Sequence, residues 1–187
     1  SAMALDPENI RVYGDGEIYI AAYGTTLPTT LSGALAAGFL SLGYLTEDGF
    51  QVNTEIETYE IGAWQSYAPV GYKRTKAVTR LVVPSLEMSD PVRKAYDDGG
   101  SFSSSGVGER VYTPPVGGDF SEWSIVADVD DGNDTERYVF DKVILTAKEG
   151  LAFKKDSAAV ANMTFSVVAA DDGGAGWRRY ESRTVTS

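Results

Sequence analysis

Trp123-Ser124-Ile125-Val126-Ala127-Asp128-Val129 is followed by Asp130-Asp131-Gly132-Asn133-Asp134 and then by Tyr138 to Leu145. The first run puts Trp123, Ile125, Ala127 and Val129 on one side of an extended chain and Ser124, Val126 and Asp128 on the other, which is the period of a β-strand. The Asp, Asn and Gly cluster is a turn, and Tyr138 to Leu145 is the strand that runs back. Met163, Phe165, Val167 and Ala169 repeat the alternation against Asn162, Thr164, Ser166 and Val168. Asp171-Asp172-Gly173-Gly174 turns the chain once more, and Trp177 to Thr186 closes it as a strand or tail.

Working outward from this centre, Ile18 and Ile20 alternate with Tyr19 and Ala21, and Gly24 to Pro28 ends that strand. Ser32 to Leu40 is small and apolar, and a turn of helix there has to bear Gly33 and Gly38 at about 1 kcal/mol each. Ala77, Thr79, Leu81 and Val83 mark a further strand. One helix is well punctuated, at about residues 91–98: Asp90 can cap it, Pro91 suits its first turn, and Gly99-Gly100 stops it. Val92, Ala95 and Tyr96 give it an apolar stripe. Ser101 to Gly108 reads as a Ser/Gly-rich mobile loop, and Pro114-Pro115 forbids a central strand beyond it. The expectation is a mainly β protein, an antiparallel sandwich or barrel of seven to nine strands with one short flanking α-helix. Residues 3–187 read as one domain, and Ser1-Ala2 ahead of Met3 looks like a remnant of tag cleavage.

The 187 residues include no cysteine and no histidine. Disulfides, thiol nucleophiles, the usual zinc sites and histidine bases are thereby excluded. The net charge of −11 opposes an electrostatic grip on nucleic acid, which depends on Lys and Arg neutralising phosphates. No run approaches the roughly 18 apolar residues of a membrane span, and no charged-then-apolar signal opens the chain.

Candidate chemistry is thin. Asp128, Asp130, Asp131 and Asp134 suggest calcium, but an EF-hand loop needs Gly at its sixth position, where this chain has Asn133. A turn rich in Asp, Asn and Gly is the simpler reading. Nothing favours a paired-carboxylate hydrolase, and Gly106-Val107-Gly108 precedes no helix. No catalytic residue, cofactor or metal is expected.

One stretch stands apart. Leu42 to Gly49 turns at Asp48-Gly49, Phe50 to Ile61 carries Glu55, Glu57 and Glu60, and Trp64-Gln65-Ser66-Tyr67 follows. Gly71 to Arg80 answers with Lys73, Arg74, Lys76 and Arg80 and no acid. Such arms can pair across a hairpin within one subunit or meet head to tail between subunits. Trp64 and Tyr67 suit either a neighbour or a bound sugar.

The string Leu42-Gly43-Tyr44-Leu45-Thr46-Glu47-Asp48-Gly49, followed by Ile61-Gly62-Ala63-Trp64-Gln65, resembles the major tail (tail tube) proteins of long-tailed bacteriophages, especially those of actinobacteria. Ile18-Tyr19-Ile20-Ala21 with Gly24-Thr25-Thr26-Leu27-Pro28 resembles that family's opening strand and turn, and Arg137 to Val168 its returning strands. The resemblance spans Ala4 to about Tyr180. It implies a virion protein, made in the host cytoplasm, whose rings, usually hexamers, stack into a tube through which double-stranded DNA passes unbound. It implies tape measure, tail terminator and distal tail proteins as partners. It also implies a long inter-strand assembly loop at about 47–74, disordered in monomers. Glu47, Asp48, Glu55, Glu57, Glu60, Trp64, Gln65, Tyr67, Lys73 and Arg74 are then the expected contacts between subunits and rings. Asp128, Asn162, Thr164 and Ser166 are the expected lumen-facing residues. Two other readings stand beside this one. The first is an adhesin-type sandwich holding carbohydrate on Trp64, Tyr67 and Trp177. The second is the tube subunit of a tailocin or type VI-like injection machine.

Overall fold

A computed structural model describes residues 10–174 and 176–182. Residues 1–2 and the end of the expected closing strand or tail, beyond Ser182, lie outside the described residues. Ten strands and one helix follow in order: β1 Asp15–Ala22, β2 Leu40–Ser41, β3 Gln51–Ile61, β4 Gly71–Ser85, α1 Asp90–Tyr96, β5 Ser101–Gly106, β6 Glu109–Thr113, β7 Glu122–Asp130, β8 Thr135–Lys148, β9 Ala161–Val167 and β10 Trp177–Glu181. The expected mainly β, antiparallel class holds. The strand count is higher than the sequence reading because β2 has only two residues and because Ser101 to Thr113 forms a hairpin.

The large sheet runs β2-β1-β7-β8-β9-β4-β3, with β10 also on β8. β8 is its pivot. One edge pairs with β7 over residues 135–144, while the other edge pairs first with β10 (residues 136–140) and then with β9 (residues 143–148). Register slips at Trp123/Ile125 and Leu145/Ala147 add bends where the two halves part, since a bulge twists and turns its strand. The sheet curls without closing into a barrel, as suits a sandwich. The segment 40–46 stitches its two sides: the Leu42 N–H donates to Ile18 O at 2.8 Å, and Leu45 bridges Ser85. The turn at Gly43 needs a glycine, because φ is +71° and a Cβ would stand 2.2 Å from the Glu87 carboxyl carbon.

The alternation read from the sequence is what fills the core. Ile18, Leu81, Ile125, Phe140, Met163 and Phe165 are fully buried in one cluster, closed by Val92 and Ala95 of α1. Trp177 joins the rim of this core, stacked near Tyr138 and Phe140 at 6.2 Å from each. The opposite face of β1-β7-β8 is also covered. Val126 and Val139 pack there under Phe39, with Leu27 and Leu35 alongside. The stretch from Ser32 to Leu40 is therefore an irregular cover and not a helix. Arg137 fastens it, donating to Gly33 O at 2.7 Å and Thr30 O at 3.3 Å while gripping Asp128 at 2.7 and 2.8 Å. Arg137→Ala removes both ties and leaves Asp128 without its cation. Breaking a fully buried pair costs about 3–5 kcal/mol, and the partial exposure of Asp128 reduces this to about 2 kcal/mol. The expected fall in Tm is roughly 4–8 °C, measurable by thermal unfolding.

Three local readings are corrected. Ser89, not Asp90, occupies the N-cap of α1, without a side-chain cap bond, and the helix ends at Tyr96. The Asp90 carboxylate is taken instead by Arg110, at 2.6 and 2.7 Å, which holds it below the usual carboxylate range. Ser101 to Gly108 is not a loose loop, because Phe102 packs on Tyr112 with their rings 5.0 Å apart and Arg110 lies 4.4 Å above Phe102. The chain enters this hairpin through Gly100 at φ +92°, where a Cβ would meet the Tyr112 hydroxyl at 2.4 Å.

The acidic turn after β7 is self-contained. Asp131 accepts the backbone N–H groups of Asp134 at 2.8 Å and Asn133 at 2.9 Å, and Arg11 clamps it. These partners hold its pKa down to about 2. Among the described residues no three potential ligands converge as a cation set, and no helix is long and apolar enough to cross a membrane.

Candidate assembly surfaces

The segment expected to be a loop at 47–74 is mostly strand. β4 pairs with β9 only from Arg80 onward, so Gly71 to Thr79 pairs with β3 alone. At about 3.3 Å per residue this two-stranded arm projects roughly 30 Å from the body. Residues 62–70 form its tip, closed by Val70 N–H to Ile61 O at 2.9 Å. A register slip between Glu57 and Thr58 leaves Thr75 as an extra residue on β4 and offsets the two strands by one residue toward the tip.

The arm has two different faces. Glu55 and Glu57 share one with Arg80 and Lys76. Here Glu55 pairs with Arg80, which lowers its pKa, and Glu57 pairs with Lys76 at 3.0 Å. The acidic and basic runs thus meet across a hairpin within one chain, but through Lys76 and Arg80 and not through Lys73 and Arg74. Among the described residues Lys73 and Arg74 have no carboxylate partner. Glu60 lies on the second face and accepts from the Tyr72 hydroxyl at 3.4 Å. That face is otherwise neutral near the body: Thr54 and Thr79 share a hydrogen bond at 3.3 Å, with Ile56 and Ala77 next.

Exposure concentrates on the arm. Ile56, Tyr59, Val70 and Tyr72 are open to solvent, Trp64 is 97% exposed and Tyr67 wholly so. Gln65 sits between these last two in the tip. Among the described residues the outer edge of β3 has no strand partner. A long open edge beside exposed aromatics is a liability that soluble monomers avoid.

Glu47 and Asp48 do not belong to the arm. They occupy the turn closed by Gly49 N–H to Thr46 O at 2.9 Å, on the rim of an open groove of about 1040 Å³. Asp15, Glu17 and Glu87 complete five carboxylates around it, and no lining residue is Lys or Arg. Tyr13, Tyr44, Phe50 and Tyr138 supply aromatic wall. Glu17 accepts the Tyr19 hydroxyl at 2.6 Å, and this bond, with burial, pushes that phenol up to about 12. Glu87 accepts the Tyr44 N–H at 3.0 Å. Sequence reasoning missed the groove. Asp15 and Glu17 lie some seventy residues from Glu87 in the sequence, and their approach to it needs the stitching segment 40–46.

The expected lumen residues divide. Pairing aligns Glu122, Ile144, Ser166, Arg80 and Asn53 in one row across five strands, with Ala147, Thr164, Val82 and Gln51 in the next. This side lies opposite Phe165 and Met163 and therefore away from the core. Its charges are matched within the chain, Glu122 to Lys142 at 2.8 Å and Arg80 to Glu55. Thr164 and Asn162 are half-buried, while Ser166 is buried and hydrogen-bonded to Thr146 at 2.8 Å. Asp128 lies where the 24–39 cover crosses the sheet, with its carboxylate held by Arg137. Trp177 sits at the core rim and Trp64 and Tyr67 at the arm tip, so the three do not form one sugar platform.

A family model described as phage tail tube protein matches residues 3–180. No curated protein matches the chain.

Proposed function

Because the chain belongs to the phage tail tube protein family, and so is a structural component of the phage tail that assembles with itself and with other tail proteins, we propose that it forms stacked rings, hexameric in the commonest arrangement, around a channel for genome DNA. The observation that carries this reading is the arm: a roughly 30 Å two-stranded projection whose exposed Trp64 and Tyr67 have nothing to pack on among the described residues. Burying them requires a partner chain, which in this reading is another copy. In this reading the arm joins one ring to the next through Trp64, Gln65 and Tyr67, with Lys73 and Arg74 behind them. Glu55, Glu57 and Glu60 keep the arm straight by pairing inside it.

The sheet side bearing Asn162, Thr164 and Ser166 is the proposed channel wall, and Asp128 stiffens the cover beside it. DNA carries a charge about every 1.7 Å along its axis. Each copy contributes −11, and the cations of the wall are engaged by carboxylates. Within a Debye length of about 8 Å such a surface offers DNA nothing to hold. The partners are the tape measure, terminator and distal tail proteins, with assembly in the host cytoplasm.

Thr164→Lys tests the wall. Its expected result is tubes of unaltered axial repeat that release DNA more slowly, read by DNA release from assembled particles. Normal release from fully substituted tubes would place Thr164 elsewhere.

A further inference from the structure

We propose that the acidic groove between the start of β1 and the turn at Glu47-Asp48 is the receptor for the arm tip of a second copy of this chain. The inference rests on the arm being the joint between copies and adds the surface that the arm meets.

The two surfaces are complementary in charge. From Ile61 to Arg74 the chain contains no acid, and it ends on Lys73 and Arg74. The groove presents five carboxylates and no cation. None of the ion pairs formed within the described chain involves Asp15, Glu17, Glu47, Asp48 or Glu87. Five like charges around one groove repel one another, and two incoming cations relieve that repulsion.

They also match in apolar character. Trp64 and Tyr67 lead the tip, and Tyr44, 79% exposed, stands on the groove wall. The hydroxyl oxygens of Thr46 and Ser89, two other lining residues, are enclosed in the wall without a hydrogen-bond partner.

Geometry makes the contact intermolecular. The arm leaves the body at Thr54, shortly after the groove-lining Phe50 and Val52, and its tip lies roughly 30 Å farther out. A tip cannot fold back into the groove at its own root. Donor and receptor are then different patches on one chain, a heterologous contact that propagates from copy to copy. The single stretch from Leu42 to Arg74 supplies the donor and the Glu47-Asp48 rim of the receptor, which Asp15, Glu17 and Glu87 complete.

The chain has no cysteine, so introduced thiols cross-link without background. Ala68→Cys in the tip and Asp48→Cys on the groove rim are prepared as separate variants, one bearing a mass tag, and mixed under assembly conditions with an oxidant. The expected result is a tagged–untagged disulfide dimer, at least tenfold more abundant than when Phe153→Cys replaces Ala68→Cys. Phe153 stands exposed beside Lys154 and Lys155 in the 149–160 loop and is the rival occupant. A dimer at least as abundant with Phe153→Cys as with Ala68→Cys overturns the proposal. Charge reversal supplies the second arm. Lys73→Glu with Arg74→Glu should abolish assembly, and adding Glu47→Lys with Asp48→Lys to the same chain should restore it. Loss without restoration leaves the arm as a joint but rejects this groove as its receptor. Assembly unaffected by Lys73→Glu and Arg74→Glu rejects both.

Discussion

Replacing residues 54–79 with Asn-Gly is expected to give a folded monomer that forms no tube. Asn53 and Arg80 face each other across the ladder, and a two-residue Asn-Gly turn closes such a pair. Everything that anchors β3 and β4 in the core remains, since Val52 and Leu81 lie on the body side of the cut. The removed residues are almost all exposed, so little buried apolar area leaves with them and Tm should move by only a few degrees. Assembly should fail completely, because Trp64, Tyr67 and the open edge of β3 go together. Sedimentation reads the assembly and thermal unfolding reads the fold. Tubes of normal repeat from the shortened chain would show that the arm is not the joint. An unfolded product would show that the arm is part of the domain.

Trp64→Ala carries the second large effect. A buried tryptophan at the centre of a contact is worth about 2 kcal/mol or more on truncation, close to a 30-fold loss at 1.4 kcal/mol per tenfold. In a stacked tube each added ring repeats the loss, so the concentration at which tubes form should rise at least 30-fold. In the monomer Trp64 is 97% exposed, and its removal should leave monomer Tm unchanged. A sharp fall in monomer Tm with unchanged assembly would reverse the assignment.

The contrast between these two substitutions and Arg137→Ala shows which parts of the molecule a sequence reveals. The alternations of Trp123 to Val129 and of Met163 to Val167 gave strands and a buried face, because burial on one side of a sheet is written with period 2. The helix was legible from Pro91 and Gly99-Gly100, although its cap was misplaced by one residue. Ser101 to Gly108 misled because Ser and Gly have low strand propensity, and the hairpin is held by Phe102 packing on Arg110 and Tyr112, which lie outside the run. The arm was read as a loop because its strands are exposed on both faces, so no apolar period marks them. Its charges were visible, but their partners were not: a one-residue register slip moves Glu57 opposite Lys76 and leaves Lys73 and Arg74 for other work. The groove was hidden, since Asp15, Glu47 and Glu87 meet only when the sheet curls. Arg137, the clasp of the 24–39 cover, gave no local signal at all.

The central claim is that this chain builds a tube from copies of itself. Electron microscopy of the purified full-length protein, at increasing concentration up to its solubility limit, tests it most directly. The predicted result is stacked rings or filaments with a regular axial repeat and a central channel. Isolated single-chain particles at every concentration would contradict it.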